Sequence, residues 1–137
     1  MLVRALSMLL ALTLGACSVA WLRPDWTSAD AAGPEPAYRF FIANAISVRD
    51  KTIIGDPSQA GVLEISSARR VDSLQGASWL VCIQAQRFPL PPRYYAVFFQ
   101  RERIVNSRLS VVIDQCELQT YSSFDWIGDA NKPPTMR

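Results

Sequence analysis

The sequence predicts an α+β domain, with one or two helices packed on a three- to four-stranded antiparallel sheet. Three observations predict it. From Trp79 to Gln86 the residues alternate, with Trp79, Val81, Ile83 and Ala85 on one face and Leu80, Cys82, Gln84 and Gln86 on the other, the period of a strand. From Tyr94 to Gln100 the chain is apolar on both faces, as in a central strand, and Arg101-Glu102 follows as a tight turn. Ahead of these, Tyr38, Phe41, Ile42, Ala45, Ile46 and Arg49 recur at helical spacing, one stripe of an amphipathic helix.

The stretch 38–51 also fits a strand, because Phe40, Ile42, Ile46 and Val48 alternate around Asn44. Pro36 tips the choice to a helix, since proline is tolerated at a helix start. Asp56-Pro57 predicts a turn, and Gly61 to Ser66 a short strand. Phe88-Pro89-Leu90-Pro91-Pro92 is a stiff connection. Ile104 to Asp114 completes the sheet, with a bulge at Asn106-Ser107-Arg108. Residues 128–137, with Pro133-Pro134, read as a disordered tail.

The 137 residues suffice for one domain, placed at residues 38–127. The net charge is +2, and the densest basic groups, Arg69-Arg70 and Arg101-Glu102-Arg103, read as solvated turns. A nucleic-acid-binding domain would concentrate its basic residues on one face, so no nucleic-acid partner is expected. Histidine is absent, which removes Ser-His-Asp and Cys-His catalysis and most zinc sites.

The first sixteen residues have a different character. Arg4 gives a short positive region, and Ala5 to Leu14 form an uncharged apolar stretch too short to span a bilayer. Leu14-Gly15-Ala16-Cys17 then resembles the lipobox of bacterial lipoproteins. The resemblance implies a signal peptide at 1–16 and a diacylglycerol on Cys17, whose two chains anchor far more firmly than one. An ordinary secretory signal cut after Ala20 is the alternative. Residues 17–37, with Pro24, Gly33, Pro34 and Pro36, read as a flexible tether. Trp21 and Trp26 fall near the anchor. Ser18 follows the cysteine where an aspartate would mark inner-membrane retention under the sorting rule of enteric bacteria, so the outer membrane, facing the periplasm, is the expected location.

Lipidating Cys17 leaves the even pair Cys82 and Cys116. In an oxidising compartment a disulfide is the default for such a pair, worth on the order of 3–4 kcal/mol for this loop. In a simple meander, the first and third strands lie about 9.6 Å apart, beyond the roughly 4.4–6.8 Å between Cα atoms that a disulfide needs. Either the two strands are neighbours, or Cys116 lies past the end of its strand and curls back across the sheet. The sequence Asp114-Gln115-Cys116-Glu117 favours the second.

Candidate chemistry is sparse. Asp114, Glu117 and Asp125 are the carboxylates worth weighing for acid–base work, but nothing in the sequence places them together, and solvated strand ends are the simpler reading. Ser66 has no recognisable base nearby. Tyr94, Tyr95, Phe98 and Phe99 read as core. Gln84 and Gln86 with Tyr94 and Tyr95 form a possible ligand face for a sugar or a peptide. Asp56-Pro57-Ser58-Gln59-Ala60, Trp79-Leu80-Val81-Cys82, Tyr95-Ala96-Val97-Phe98-Phe99 and Asp114-Gln115-Cys116 together resemble small uncharacterised proteobacterial envelope lipoproteins. That resemblance implies an envelope setting and a small α+β fold, and it brings no active site. The expected function is a non-enzymatic envelope lipoprotein that binds the membrane through its anchor and an envelope protein through its domain, with no metal or cofactor. The alternative is a module that binds a small ligand. Replacing Cys17 with alanine is expected to abolish metabolic labelling with palmitate; label that persists on the variant would put the anchor elsewhere.

Overall fold

The structure, a computed structural model, describes residues 32–48, 51–73 and 76–134. The leader, Cys17, Trp21 and Trp26 lie outside these residues. Helix α1 spans Tyr38–Ser47, and short helices α2 and α3 span Lys51–Ile54 and Pro57–Ala60. Strands follow at Val62–Ser66 (β1), Arg69–Ser73 (β2), Gly76–Gln86 (β3), Arg93–Gln100 (β4) and Arg103–Leu109 (β5). Two 3₁₀ turns, Val112–Asp114 and Cys116–Leu118, lead to β6 (Tyr121–Ser123) and helix α4 (Trp126–Ala130).

The architecture is α+β with an antiparallel sheet, as the alternation in the sequence predicts, but the sheet has six strands rather than three or four. Its order is β5-β4-β3-β1-β6, with β2 also on β3. The extra strands are short, and β2 is rich in charge, so neither gives a run of alternating apolar residues. The helix of the stretch 38–51 ends at Ser47. The last long strand ends at Leu109 rather than near Asp114, and the chain then turns through 3₁₀ geometry. Its bulge falls at Val105: Phe98 faces Asn106, and Phe99 already faces Ile104. Asp56 does mark a change of direction, but as the cap of α3, accepting from the Ser58 backbone N–H at 3.0 Å.

The long strand β3 is the spine. Its C-terminal half pairs with β1, from Val62 opposite Gln86 to Ile65 opposite Ile83. Its N-terminal half pairs with β2, from Arg69 opposite Leu80 to Ser73 opposite Gly76. Between the two the register shifts by one residue, so β1 and β2 are one strand interrupted by a bulge at 66–68. The bulge removes a ladder bond, and the Ser66 side chain replaces it. The buried Ser66 Oγ accepts from the Cys82 backbone N–H at 2.9 Å and donates to the Ser67 carbonyl at 2.9 Å.

One sheet face carries the main core. Ile42, Ala43 and Ile46 of α1, with Ile53 and Ile54 of α2, pack on Leu63, Ile65, Val81, Ile83, Val97 and Phe99. Of the stripe that predicts α1, Ile42 and Ile46 are buried and Tyr38, Phe41 and Ala45 pack against the core in part, while Arg49 lies outside the described residues. The opposite face has a smaller core of Leu80, Cys82, Ala96, Phe98 and Cys116. Both ends of the domain extend beyond the limits read from the sequence. Ala32 is fully buried, and its carbonyl accepts from the Arg101 backbone N–H at 2.8 Å. The Gly33 carbonyl accepts from Trp79 Nε1 at 3.2 Å. The last residues of the expected tether therefore belong to the fold. At the other terminus, α4 runs to Ala130 and includes Gly128, the expected start of the tail. It is tied to α1 through Arg39, whose Nε donates to Asp129 at 3.1 Å. Among the described residues no helix is long and apolar enough to cross a membrane.

Ser66→Ala is expected to destabilise the oxidised protein by about 1–3 kcal/mol, because it leaves the buried Cys82 N–H without an acceptor. Urea midpoints check it; a loss under about 0.5 kcal/mol would show that the ladder closes without the hydroxyl.

Candidate functional site

The sheet has two distinct ends. At one, the β4–β5 turn at Arg101 receives Ala32 and Gly33. At the other, the register brings together Val62 beside Gln86, Ala85 beside Arg93, and Tyr95 beside Leu109. The eight residues of β4 separate the two ends, roughly 24 Å of strand.

Two segments that meet this end leave large apolar side chains uncovered. The first is the β3–β4 loop, residues 87–92. Phe88 is 88% exposed and Leu90 is 53% exposed. The Gln86 side chain braces the loop from below, its Nε2 donating to the Leu90 carbonyl at 2.9 Å. The second is a strap, residues 110–118, that leaves the end of β5 and crosses the face opposite α1. Val112 is 95% exposed and Ile113 is 81% exposed, with Leu109, Val111 and Leu118 also uncovered. Singly exposed aliphatic residues are ordinary; several on two neighbouring segments are less so.

The strap is held rigidly. Its start is fixed where the Ser110 N–H donates to the Tyr94 carbonyl at 2.8 Å. Asp114 is buried beneath it, in contrast to the solvated strand end expected from the sequence. Its carboxylate takes both Arg108 amino groups, at 2.7 and 2.8 Å, and the Val111 N–H at 2.9 Å. Arg69 donates to the Asp114 carbonyl oxygen. Farther along, Cys116 is joined to Cys82 with Cα atoms 5.5 Å apart. Cys116 lies beyond the end of β5 and returns across the sheet, the second of the two geometries weighed for this pair. Tyr121 then donates to the Cys116 carbonyl at 2.6 Å.

The four residues of the expected ligand face do not share a face. Gln84 and Tyr94 stand opposite each other on the side of Cys82, with the Tyr94 ring 6.0 Å from that of Tyr121. Tyr95 is opposite Ile83, on the α1 side. Adjacent residues in a strand point to opposite faces, so a Tyr94-Tyr95 pair cannot serve one surface. The three carboxylates do not converge on a cleft either. Asp114 pairs with Arg108, Asp125 accepts from the Gly128 N–H at 3.1 Å as the cap of α4, and Glu117 is exposed on the strap. Arg69 and Arg70 lie in β2 rather than in a turn, and the Arg70 guanidinium sits 5.5 Å from the centre of the Trp79 ring. The Ser66 hydroxyl is occupied in the bulge. Among the described residues, no group of three or more cysteine and carboxylate side chains is placed to hold a metal ion.

Between α1 and the sheet the space is filled by side chains. An open cleft of about 320 Å³ lies instead beside the β3–β4 loop, under the Ile54–Ala60 segment. Arg87, Arg93 and Tyr95 line it with Asp56, Gln59 and Leu90. Of the expected ligand face, only Tyr95 reaches it. The two arginines carried no signal in sequence, because they stand on either side of a loop whose ends only the hairpin brings together. No family model matches the chain, and no curated protein or solved structure matches it.

Burial, and then the nearby Tyr94, Glu117 and Glu64, raise the Tyr121 hydroxyl above the ordinary phenol value of 10.0. Above that pH the folded state holds the proton that the unfolded state releases, so stability falls as pH rises. Tyr121→Phe is expected to flatten that fall above about pH 10 and to cost about 1 kcal/mol at neutral pH. Denaturation midpoints across the range check both; parallel curves for variant and parent would refute the linkage.

Proposed function

We propose that this chain is a membrane-anchored envelope lipoprotein with a non-enzymatic role, and that its domain binds another envelope protein through the end of the sheet opposite Ala32. The observation that carries the reading is polarity. The first described residue, Ala32, sits beside Arg101, whereas Phe88, Leu90 and Leu109 are uncovered at the other end of β4 and β5, and Val112 and Ile113 on the strap that leaves β5 there. A lipid on Cys17 would be joined to the domain through the residues that precede Ala32, so the apolar end is not the one to which the tether connects. The lipobox leader supports a signal peptide, lipidation at Cys17 and an outer-membrane location facing the periplasm. The scattered basic residues argue against nucleic acid. The carboxylates support a structural reading, since Asp114 and Asp125 are engaged in holding the strap and capping α4.

The apolar end suits a protein partner because its side chains are large, exposed and carried on a braced backbone, which limits the ordering cost of association. A photo-crosslinking residue at Phe88 or Val112 is expected to trap the same envelope protein in intact cells, and one at Arg103, near the end that holds Ala32, is expected not to. No adduct at Phe88 or Val112, under conditions that trap a control lipoprotein, would refute the reading.

A further inference from the structure

We propose that the cleft beside the β3–β4 loop binds a carboxylate carried next to an apolar side chain, the chemistry of a free peptide C-terminus. This deepens the reading of that end of the sheet as the interacting end by naming what it recognises.

Two arginines line the cleft. Arg87 is oriented by Gln59, whose Oε1 accepts from its amino group at 2.7 Å. Gln59 is neutral, so this bond positions the guanidinium without cancelling its charge. Arg93 is exposed, Tyr95 is half-buried, and neither side chain has a hydrogen-bond or ion-pair partner among the described residues. A guanidinium and a phenol hydroxyl are thus available as donors on one wall. Asp56, the one acidic residue lining the cleft, caps α3: its carboxylate accepts from the Ser58 N–H at 3.0 Å and from the Ser58 hydroxyl at 2.7 Å. Those neutral donors leave its charge in place, so two guanidinium groups and one carboxylate give the lining a net charge of +1.

The rest of the lining is apolar, from Ile54 and Ala60 on one side to Leu90 and Pro91 on the other. Such a wall disfavours a fully hydrated anion and favours one attached to a hydrocarbon group. Guanidinium groups bind a planar carboxylate through paired N–H donors, stronger than neutral hydrogen bonds. The volume of about 320 Å³ lies near the lower limit of small-ligand sites, enough for one or two terminal residues. The cleft opens beside the exposed Phe88 loop, so a peptide seated in it by its end would continue across that apolar surface.

The test is a titration of the ¹⁵N-labelled full chain in detergent, followed by amide shifts at residues 55–60 and 87–95. N-acetyl-alanyl-leucine is compared as the free acid and as the amide. The free acid is expected to bind with a Kd at least about tenfold below that of the amide, the equivalent of one charge-assisted contact. Arg93→Gln is expected to bring the two within about twofold, whereas Arg103→Gln, a cation removed from the far end, leaves the difference intact. Equal binding of acid and amide, no saturable shift with either, or full discrimination in Arg93→Gln overturns the assignment. So does binding of inorganic phosphate, or of an N-acetyl-aspartyl peptide amide, as tight as that of the leucine acid. The measurement needs neither the anchor nor a cell, so its failure is distinct from a failure to crosslink in the envelope.

Discussion

The bulge at Ser66 is the constraint on which the two faces of the sheet depend. A strand that shifts register by one residue sends every later side chain to the opposite face. Upstream of the bulge, Leu63 and Ile65 point into the main core; downstream, Arg69 and Val71 point to the Cys82 side. Without that shift, Arg69 would be driven into the apolar layer beneath α1, and the strap would lose the guanidinium that holds the Asp114 carbonyl. The Ser66 hydroxyl makes the shift tolerable, because it returns an acceptor to the Cys82 N–H at the point where the ladder opens. The same residue pair thus links the ladder, the bulge and the disulfide.

The strap shows how a small domain covers a second core with almost no regular structure. Its own large side chains face outward, so burial of its apolar groups cannot hold it down. Covalent and polar attachments do so instead. The disulfide joins residues separated by 34 positions, and closing a loop of that size restricts the unfolded chain by roughly 3–4 kcal/mol. The Arg108–Asp114 pair is 36% exposed on the arginine side, so solvent screens its charge. Its main role is geometric, since the same carboxylate also receives the Val111 N–H and fixes the turn. Exposed Val112 and Ile113 are therefore held at a defined place rather than swept through solvent.

Much of this was legible in the sequence, and the failures share a cause. The strands at Trp79 and Tyr94, their facing, the Arg101-Glu102 hairpin and the buried stripe of α1 all follow from local periodicity, which burial on one side imposes. Strand spacing and bond length leave two geometries for the cysteine pair, and the strand exit at Asp114-Gln115-Cys116-Glu117 favours the one observed, the return of Cys116 across the sheet. Missed features depend on residues distant in sequence. β2 reads as RRVDS and is a strand only because β3 is long enough to pair with it. Asp114 is buried only because Arg69 and Arg108 meet there. Tyr94 and Tyr95 are adjacent in sequence, but the pleat sends them to opposite faces. Arg87 and Arg93 are six positions apart, and the hairpin that brings them to one cleft is a tertiary fact.

Strand β5 forms one edge of the sheet, and its irregularity has a bearing on self-association. An open edge offers unpaired backbone groups to any neighbouring copy. Val105, the extra residue opposite Phe98 and Phe99, breaks the flat run that a second strand would need. Arg103 places positive charge on the same short strand, so two such edges approaching each other would repel. Bulges and charged side chains on edge strands are how natural sheets resist stacking into fibrils. The bulge leaves β5 able to complete this sheet and poorly suited to begin another.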